Sequence, residues 1–209
     1  MIRRFLALML VAGPLGLCWA ATAPAADSAD EGWTQLFNGK DLSGWKVYPS
    51  GTGQWKVEDG ILIGSGPSSH LFSERGDYEN FRYRVVASIN DHGNSGQYFR
   101  TKFGPGFPKG YEAQINSTHK DPIKTGSLYR FAPVYEMLVK PDEWFTQEVI
   151  AVGNHIIIKV NNKTTVDFVD KKRTYMKGHF ALQQHDPGTV VKFRKVEAKE
   201  LPPGEEEKK

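Results

Sequence analysis

The feature of this sequence that most constrains its fold is the spacing of its apolar residues. No stretch keeps an apolar period of 3.6 residues over three turns, as a helix that faces a core would. Instead, at least ten short runs follow one another, separated by turns rich in Gly, Asn and Asp. This series predicts an all-β sandwich of antiparallel strands.

The longest of these runs, Tyr78–Ile89, alternates well between its two sides, as a half-buried strand does. One side would carry Phe81, Tyr83, Val85 and Ala87, and the other Arg82, Arg84 and Val86. The remaining strand predictions are the hairpin Trp55–Ile63 with its turn at Asp59-Gly60, the pair Trp144–Val152 and His155–Asn161, the short strand Gly126–Tyr129, and the closing strands His179–His185 and Val190–Ala198. The segment Ser65–Ser69 is predicted to be a loop.

Residues 1–26 have the pattern of a secretory signal peptide. Arg3 and Arg4 precede an apolar run from Phe5 to Leu17, which is too short for a membrane span, and small residues follow up to Ala26. A secreted protein, periplasmic or extracellular, is therefore predicted. The single cysteine, Cys18, follows Leu17 where a lipoprotein site would have a small residue, so a lipid anchor is not expected.

Residues 32–201 are long enough for one domain with a substantial core. Removal of the two arginines of the signal segment takes the formal charge from +3 to +1, which gives no electrostatic case for nucleic-acid binding. The tail, residues 202–209, is charged and rich in Pro and Gly, and we interpret it as disordered. The sequence leaves the oligomeric state open.

Two short strands around a Gly- and Pro-rich loop carry the most polar candidates. Alternation puts Tyr111, Ala113 and Ile115 on one face of the second strand, so Glu112 and Gln114 share the other. If Phe99 of the first strand faces the core, the polar face would carry Tyr98, Arg100, Glu112 and Gln114. These side chains suit a polyol such as a sugar. A solvated sheet face with one Arg–Glu ion pair is the alternative, because antiparallel sheets often leave one face to water.

Several pieces of the chain, in this order and spacing, resemble the 3-keto-disaccharide hydrolase domain family. The pieces are Leu36-Phe37-Asn38-Gly39-Lys40-Asp41-Leu42-Ser43-Gly44-Trp45, Trp55-x-Val57-Glu58-Asp59-Gly60, Asn94-Ser95-Gly96-x-Tyr98-Phe99-Arg100, Gly110-Tyr111-Glu112-x-Gln114-Ile115, Gly126-x-Leu128-Tyr129, Glu143-Trp144 and Ala181-Leu182-Gln183-x-His185. Two positions depart from the family pattern, since Phe145 stands where Asn is usual and Asn162 where Gly is usual. The resemblance covers residues 32–201.

The resemblance implies a concanavalin A-like jelly-roll sandwich with its site on the concave sheet. It also implies secretion and action on glycosides whose sugar has been oxidised to a ketone at C3. A ketone there acidifies the hydrogen at C2, so a single base could start β-elimination of the aglycone from C1. Hydration of the product would make the net reaction a hydrolysis. The paired carboxylates of ordinary glycosidases are not evident as a motif in the sequence.

We expect three catalytic residues for this chemistry. His185 would be the general base, since its pKa suits neutral pH. Arg100 would stabilise the developing oxyanion, directly or by holding Glu112, and Glu112 would orient His185, act as an acid or base, or bind a metal. The substrate-binding candidates are Tyr98, Gln114, Gln183, Tyr129 and Asn94.

Three alternatives remain open from sequence. Glu112 and His185 could hold a divalent metal cation, because carboxylate and imidazole suit several metals. The domain could instead be a lectin-like carbohydrate-binding module without turnover, or a noncatalytic envelope or adhesion domain. The other histidines, His70 and His119 among them, are predicted to be surface or loop residues.

Overall fold

The structure is a computed structural model, and it describes residues 32–48 and 52–203. The predicted signal peptide, Cys18 and most of the predicted disordered tail lie outside the described residues. Within the described ranges the chain forms thirteen strands and no helix. No helix long and apolar enough to cross a membrane is therefore found in this part of the chain.

The strands are β1 (Thr34–Gln35), β2 (Trp45–Val47), β3 (Gln54–Glu58), β4 (Ile61–Ser65), β5 (Ser69–Ser73), β6 (Phe81–Ile89), β7 (Ser95–Thr101), β8 (Tyr111–Ile115), β9 (Phe145–Val152), β10 (His155–Val160), β11 (Lys163–Val169), β12 (His179–Gln184) and β13 (Val191–Glu200). They form two antiparallel sheets. The larger has the order β11-β10-β9-β6-β13-β4-β3, with β1 paired to β13, and the smaller has the order β2-β5-β12-β7-β8. This arrangement confirms the predicted all-β jelly-roll sandwich.

The core lies between the two sheets and follows the predicted alternation of β6. Phe81, Tyr83, Val85 and Ala87 are buried, while Arg82 and Arg84 are only partly covered. The ring of Tyr83 in the larger sheet stacks on Phe180 of β12 in the smaller sheet, with 4.0 Å between ring centroids. Contacts of this kind bury apolar area from both sheets, which is the main stabilisation available to the fold.

The smaller sheet is buried on both faces, and this property creates the site. Tyr111, Ala113 and Ile115 of β8 belong to the core, as predicted. Glu112 and Gln114, which alternate with them, point to the opposite face. They are nevertheless buried as well, with only 9% and 1% of their surface exposed. The outer face is thus a covered polar surface rather than a solvated one, so the alternative of a simple water-facing sheet is wrong.

Two segments differ from their predictions. Ser69–Ser73, where a loop was predicted to end, is strand β5, which pairs with β12 and β2 near the middle of the smaller sheet. All five of its residues are buried, so its sequence lacks the apolar–polar alternation that marks a strand with one wet face. Conversely, Gly126–Tyr129 forms no strand of its own; Leu128 makes isolated bridges to Ala113 and Ala132.

Candidate functional site

A pocket of about 380 Å³ opens on the outer face of the smaller sheet. This volume lies within the range of sites that hold small molecules. Seven of the eight residues predicted to act in catalysis or binding line it, namely Asn94, Tyr98, Glu112, Gln114, Tyr129, Gln183 and His185. They come from strands β7, β8 and β12 and from the loops beside them, so the sheet register brings them together.

Arg100 is the exception, and its predicted place on the polar face is wrong. Between His179 and Ala181 the pairing of β12 with β7 shifts by one residue, and Arg100 has a φ of 52°. This bulge turns the side chain away from Glu112. The guanidinium instead donates to the backbone oxygen of Glu79, through Nε at 2.9 Å, and to that of Tyr175 at 3.2 Å. Burial lowers the pKa of Arg100 to about 10.

Glu112 lies at the floor of the pocket in a network of neutral groups. The hydroxyl of Tyr98 donates to its Oε2 at 2.7 Å. In the amide orientation that satisfies both ends of Gln114, the nitrogen of that side chain donates to Oε1 of Glu112 at 3.0 Å and to the backbone oxygen of Ser95. Gly96 leaves space for the carboxyl group, since a Cβ at that position would lie 2.3 Å from Oε1.

The carboxyl group of Glu112 is neutral at neutral pH. Burial raises its pKa to about 8, and the negative charge of Asp121 adds to the rise, against the opposing effects of the Tyr98 hydrogen bond and Arg130. A protonated carboxyl can donate a hydrogen bond, which an ionised one cannot. With its proton directed at the oxygen of Tyr98, Glu112 would leave the Tyr98 hydroxyl free to donate into the pocket.

Gln183 continues this network and offers a free acceptor. Its Nε2 donates to the hydroxyl oxygen of Tyr98 at 3.1 Å and lies 3.3 Å from Nε2 of His70. Its Oε1 is buried and has no hydrogen-bond partner among the described residues. A buried acceptor without a partner costs free energy unless a ligand supplies a donor. Gln183 is therefore a good position for a substrate hydroxyl.

His70 was predicted to lie on the surface or in a loop, and this prediction is wrong. It is part of β5, is 6% exposed, and packs edge-on against the ring of Tyr98. Burial, and then the nearby His185, lower the pKa of His70 to about 4, so the ring is neutral at neutral pH. Its neutral ring contacts the polar network of the pocket through Gln183 and Tyr98.

His185 is held by the residue that follows it. Its Nδ1 lies 2.9 Å from Oδ2 of Asp186, and the other oxygen of Asp186 accepts the backbone N–H of Gly188 at 3.0 Å. Burial opposes ionisation of Asp186, but the hydrogen bonds from His185 and Gly188 outweigh it and lower the pKa of Asp186. A carboxylate there fixes the proton of His185 on Nδ1, so Nε2 has a free lone pair.

His119 lies on a loop, as predicted, but its side chain is only 12% exposed and lies beside the site. Its ring contacts that of His185 with 5.6 Å between centroids, and its Nε2 lies 3.6 Å from Asp186. Its Nδ1 accepts the backbone N–H of Asp121 at 3.1 Å, which places the proton of the neutral ring on Nε2. Burial is the main cause that lowers the pKa of His119.

The pair predicted to bind a metal, Glu112 and His185, does not form a cluster of possible ligands in the structure. Among the described residues, His119, His185 and Asp186 are the one set of three whose ligand atoms lie within 4.8 Å of one another, and Glu112 is not among them. A cation would need a lone pair on Nε2 of His119, but the hydrogen bond from Asp121 leaves the proton there. The donor set as arranged fits a hydrogen-bonded cluster and does not fit a cation, and we derive no step through a metal.

Eight further pocket residues were not selected from the sequence: Phe107, Pro108, Lys109, Gly110, Asp121, Arg130, Phe131 and Tyr175. Phe107 and Lys109 lie in the loop between β7 and β8, and Asp121 and Arg130 lie in the irregular segment between β8 and β9. Only the sequence neighbourhood could have indicated Asp186, as the acidic residue next to the expected base. Loop residues carry no periodic signal, so the fold has to place them.

The sequence profile of the 3-keto-alpha-glucoside-1,2-lyase-like domain matches residues 32–199. The chain belongs to this family. Comparison with curated protein sequences gave no match. The profile covers every strand except the last residue of β13, so the 3-keto-alpha-glucoside-1,2-lyase-like domain accounts for the whole sandwich and its pocket.

Two solved structures show the fold of this 3-keto-alpha-glucoside-1,2-lyase-like domain in other proteins. One, from Parabacteroides distasonis ATCC 8503, was reported as a candidate glycosyl hydrolase; it is 27% identical, covers 83% of this chain and 96% of its own, and has a TM-score of 0.71. Another is the carbohydrate-binding module CBM66 from Bacillus subtilis, at 21% identity, 75% and 95% coverage, and a TM-score of 0.58. The family assigns the chain a carbohydrate-related function with a sugar as its ligand, and CBM66 shares its fold.

Proposed function

We propose that the protein cleaves glycosides whose sugar carries a ketone at C3, by β-elimination across C1 and C2 followed by hydration. The observation that carries this proposal is the pairing, in one pocket, of a histidine held by a carboxylate with a buried carboxyl group whose pKa is raised to about 8. A histidine held by a carboxylate, next to a carboxyl group that burial keeps protonated, supplies one candidate base and one candidate proton donor in the same site.

In this mechanism Nε2 of His185 removes the proton from C2 of the sugar. The electron pair of that bond forms a C2–C3 double bond, and the ketone oxygen becomes an enolate oxygen. Tyr98, backed by neutral Glu112, donates a hydrogen bond to that oxygen and stabilises its charge. Arg100 has no part in this step, because its side chain lies outside the pocket.

The enolate then collapses, and the electron pair forms a C1–C2 double bond while the C1–O bond breaks. The aglycone leaves as an alcohol after taking a proton from solvent, and the product is a 1,2-unsaturated 3-keto sugar. Addition of water across C1–C2 completes the net hydrolysis. The buried acceptors Oε1 of Gln183 and Oδ1 of Asn94 are available for the hydroxyls of the sugar.

A carbohydrate-binding module without turnover is the alternative that the similarity to CBM66 favours. A second comes from Asp121, which lines the same pocket as Glu112 and raises its pKa. Two carboxyl groups in one site are the pair that a conventional glycosidase uses. Conventional hydrolysis would not require the ketone, and a binding module would show no turnover.

The test compares His185→Ala and Asp186→Asn with the wild type on a 3-keto-glucoside. Loss of the base should lower kcat by about a hundredfold or more, with little change in affinity. Asp186→Asn should lower kcat by at least about tenfold, because the ring of His185 is no longer held with its proton on Nδ1. His155→Ala is the matched control, since His155 is exposed on β10 of the larger sheet. Turnover within about threefold of wild type in both site variants would overturn the assignment.

A further inference from the structure

The loop between β7 and β8 carries an exposed aromatic side chain, Phe107, at the mouth of the polar pocket. Phe107 is 60% exposed and lines the pocket. Among the described residues, five large apolar side chains are at least 36% exposed, and Phe107 is the one of these five that lines the pocket. Its ring centroid lies 5.8 Å from that of His70 and 5.8 Å from that of His185. The ring is thus beside the candidate base.

The two ends of the loop are joined by a backbone hydrogen bond, and one of its aromatic residues packs on the sheet. The backbone N–H of Lys102 donates to the oxygen of Lys109 at 3.1 Å and closes the neck. Phe103 packs against Tyr48 and Phe72, each at 5.1 Å between ring centroids. Phe103 therefore contributes to holding the loop on the sheet, whereas Phe107 has most of its surface left open.

The two parts of the pocket differ in chemistry. The floor, formed by Tyr98, Glu112 and Gln183, is buried and polar, which suits the ketone and hydroxyls of the oxidised sugar. The exposed face of Phe107 offers no hydrogen bond and suits a flat ring with an apolar face. A glycoside bound with its sugar on the floor has its leaving group at the mouth, next to Phe107.

We propose that Phe107 forms the leaving-group subsite, and that the preferred substrates are 3-keto-glycosides whose aglycone presents an aromatic or similarly flat apolar ring. This inference rests on the proposed function for the orientation of the sugar. Phe107 stacks on the departing ring and favours aglycones that carry one.

The experiment uses benzyl and methyl 3-keto-glucosides, which share the sugar and release alcohols of similar acidity. The ratio of their kcat/KM values is measured for wild type, Phe107→Ala and Phe107→Leu, with Phe103→Ala as the control from the same loop. We expect Phe107→Ala to reduce the benzyl preference by about tenfold, the scale of one stacked ring pair. Phe107→Leu should fall between the two, and Phe103→Ala should keep the wild-type ratio.

An unchanged ratio in Phe107→Ala would overturn the subsite, as would equal losses on both substrates. A similar fall in Phe103→Ala would assign the effect to the loop and not to the ring of Phe107, and would also overturn it. If neither glycoside is turned over by the wild type, the proposed function fails, and calorimetric affinities of the same two compounds then decide the subsite by the same ratio.

Discussion

Replacement of Glu112 by Gln should make the protein more stable, and increasingly so as the pH rises. In the unfolded chain this carboxyl ionises with a pKa near 4.5, whereas burial raises its folded pKa to about 8. Between these values the folded state keeps a proton that the unfolded state has released. The free energy of unfolding therefore falls as the pH rises from about 4.5 to about 8 and levels off above that range.

The magnitude follows from the shift. Each unit of pKa difference corresponds to about 1.4 kcal/mol, so at about pH 7.5 the neutral Glu112 costs about 4 kcal/mol relative to a residue that does not ionise. Gln keeps the shape and can still bond to Tyr98 and Gln114. Glu112→Gln should thus raise the free energy of unfolding by about 3 to 4 kcal/mol at about pH 7.5 and by about zero near pH 4.5.

Urea unfolding at about pH 4.5, 6 and 7.5 measures this difference directly. Glu136→Gln is the control, because it removes one carboxylate from an exposed loop. A stability difference between Glu112→Gln and wild type that is the same at all three pH values would refute a neutral Glu112, and with it the donor that the proposed mechanism assigns to the enolate.

Three other predictions concern His70, Arg100 and the predicted signal peptide. The low pKa of His70 should make the wild type lose about 3 kcal/mol of stability as the pH falls from about 6.5 to about 4, because the unfolded chain takes up a proton that the folded one does not. His70→Gln should escape this loss, and equal acid-unfolding profiles for the two proteins would contradict the prediction. Arg100→Met should destabilise the fold by about 2 to 4 kcal/mol through its lost bonds to Glu79 and Tyr175, while kcat/KM of the folded protein stays within about threefold; a hundredfold loss of kcat would restore Arg100 as a catalytic residue. Mass spectrometry of protein exported by a bacterial host should find a new amino terminus between Ala20 and Ala26, and an intact Met1 in the exported protein would remove the predicted signal peptide.

Much of the fold could be predicted because its strands alternate. In β8, the order Tyr111, Glu112, Ala113, Gln114, Ile115 is enough to assign each side chain to a face, and the structure agrees. Strand β5 could not be found this way, since a strand buried on both faces has no alternation, and His70 was misplaced with it. The prediction for Arg100 was wrong for a related reason. One extra residue in a bulge reverses the face on which the next side chain lies, and no pattern in the sequence marks the bulge.

The candidate site was predictable only where it lies on strands. Tyr98, Glu112, Gln114 and Gln183 came together through register, while Asp186, His119 and Phe107 come from loops that no periodic pattern places. His185 illustrates the difference, because its residue type and its place in the family resemblance selected it as a base. The partner that holds its ring, Asp186, emerges from the turn that Gly188 closes with its backbone N–H.

The most direct test of elimination chemistry is incubation of the purified protein with a 3-keto-glucoside and with its unoxidised parent, each with and without a chelator. Elimination predicts that aglycone is released from the keto form alone, together with a 1,2-unsaturated keto sugar or its hydrate, and the hydrogen-bonded cluster at His119 predicts no effect of the chelator. Release from the unoxidised parent at a similar rate would contradict the role of the ketone, and binding of both compounds without any release would leave a carbohydrate-binding module.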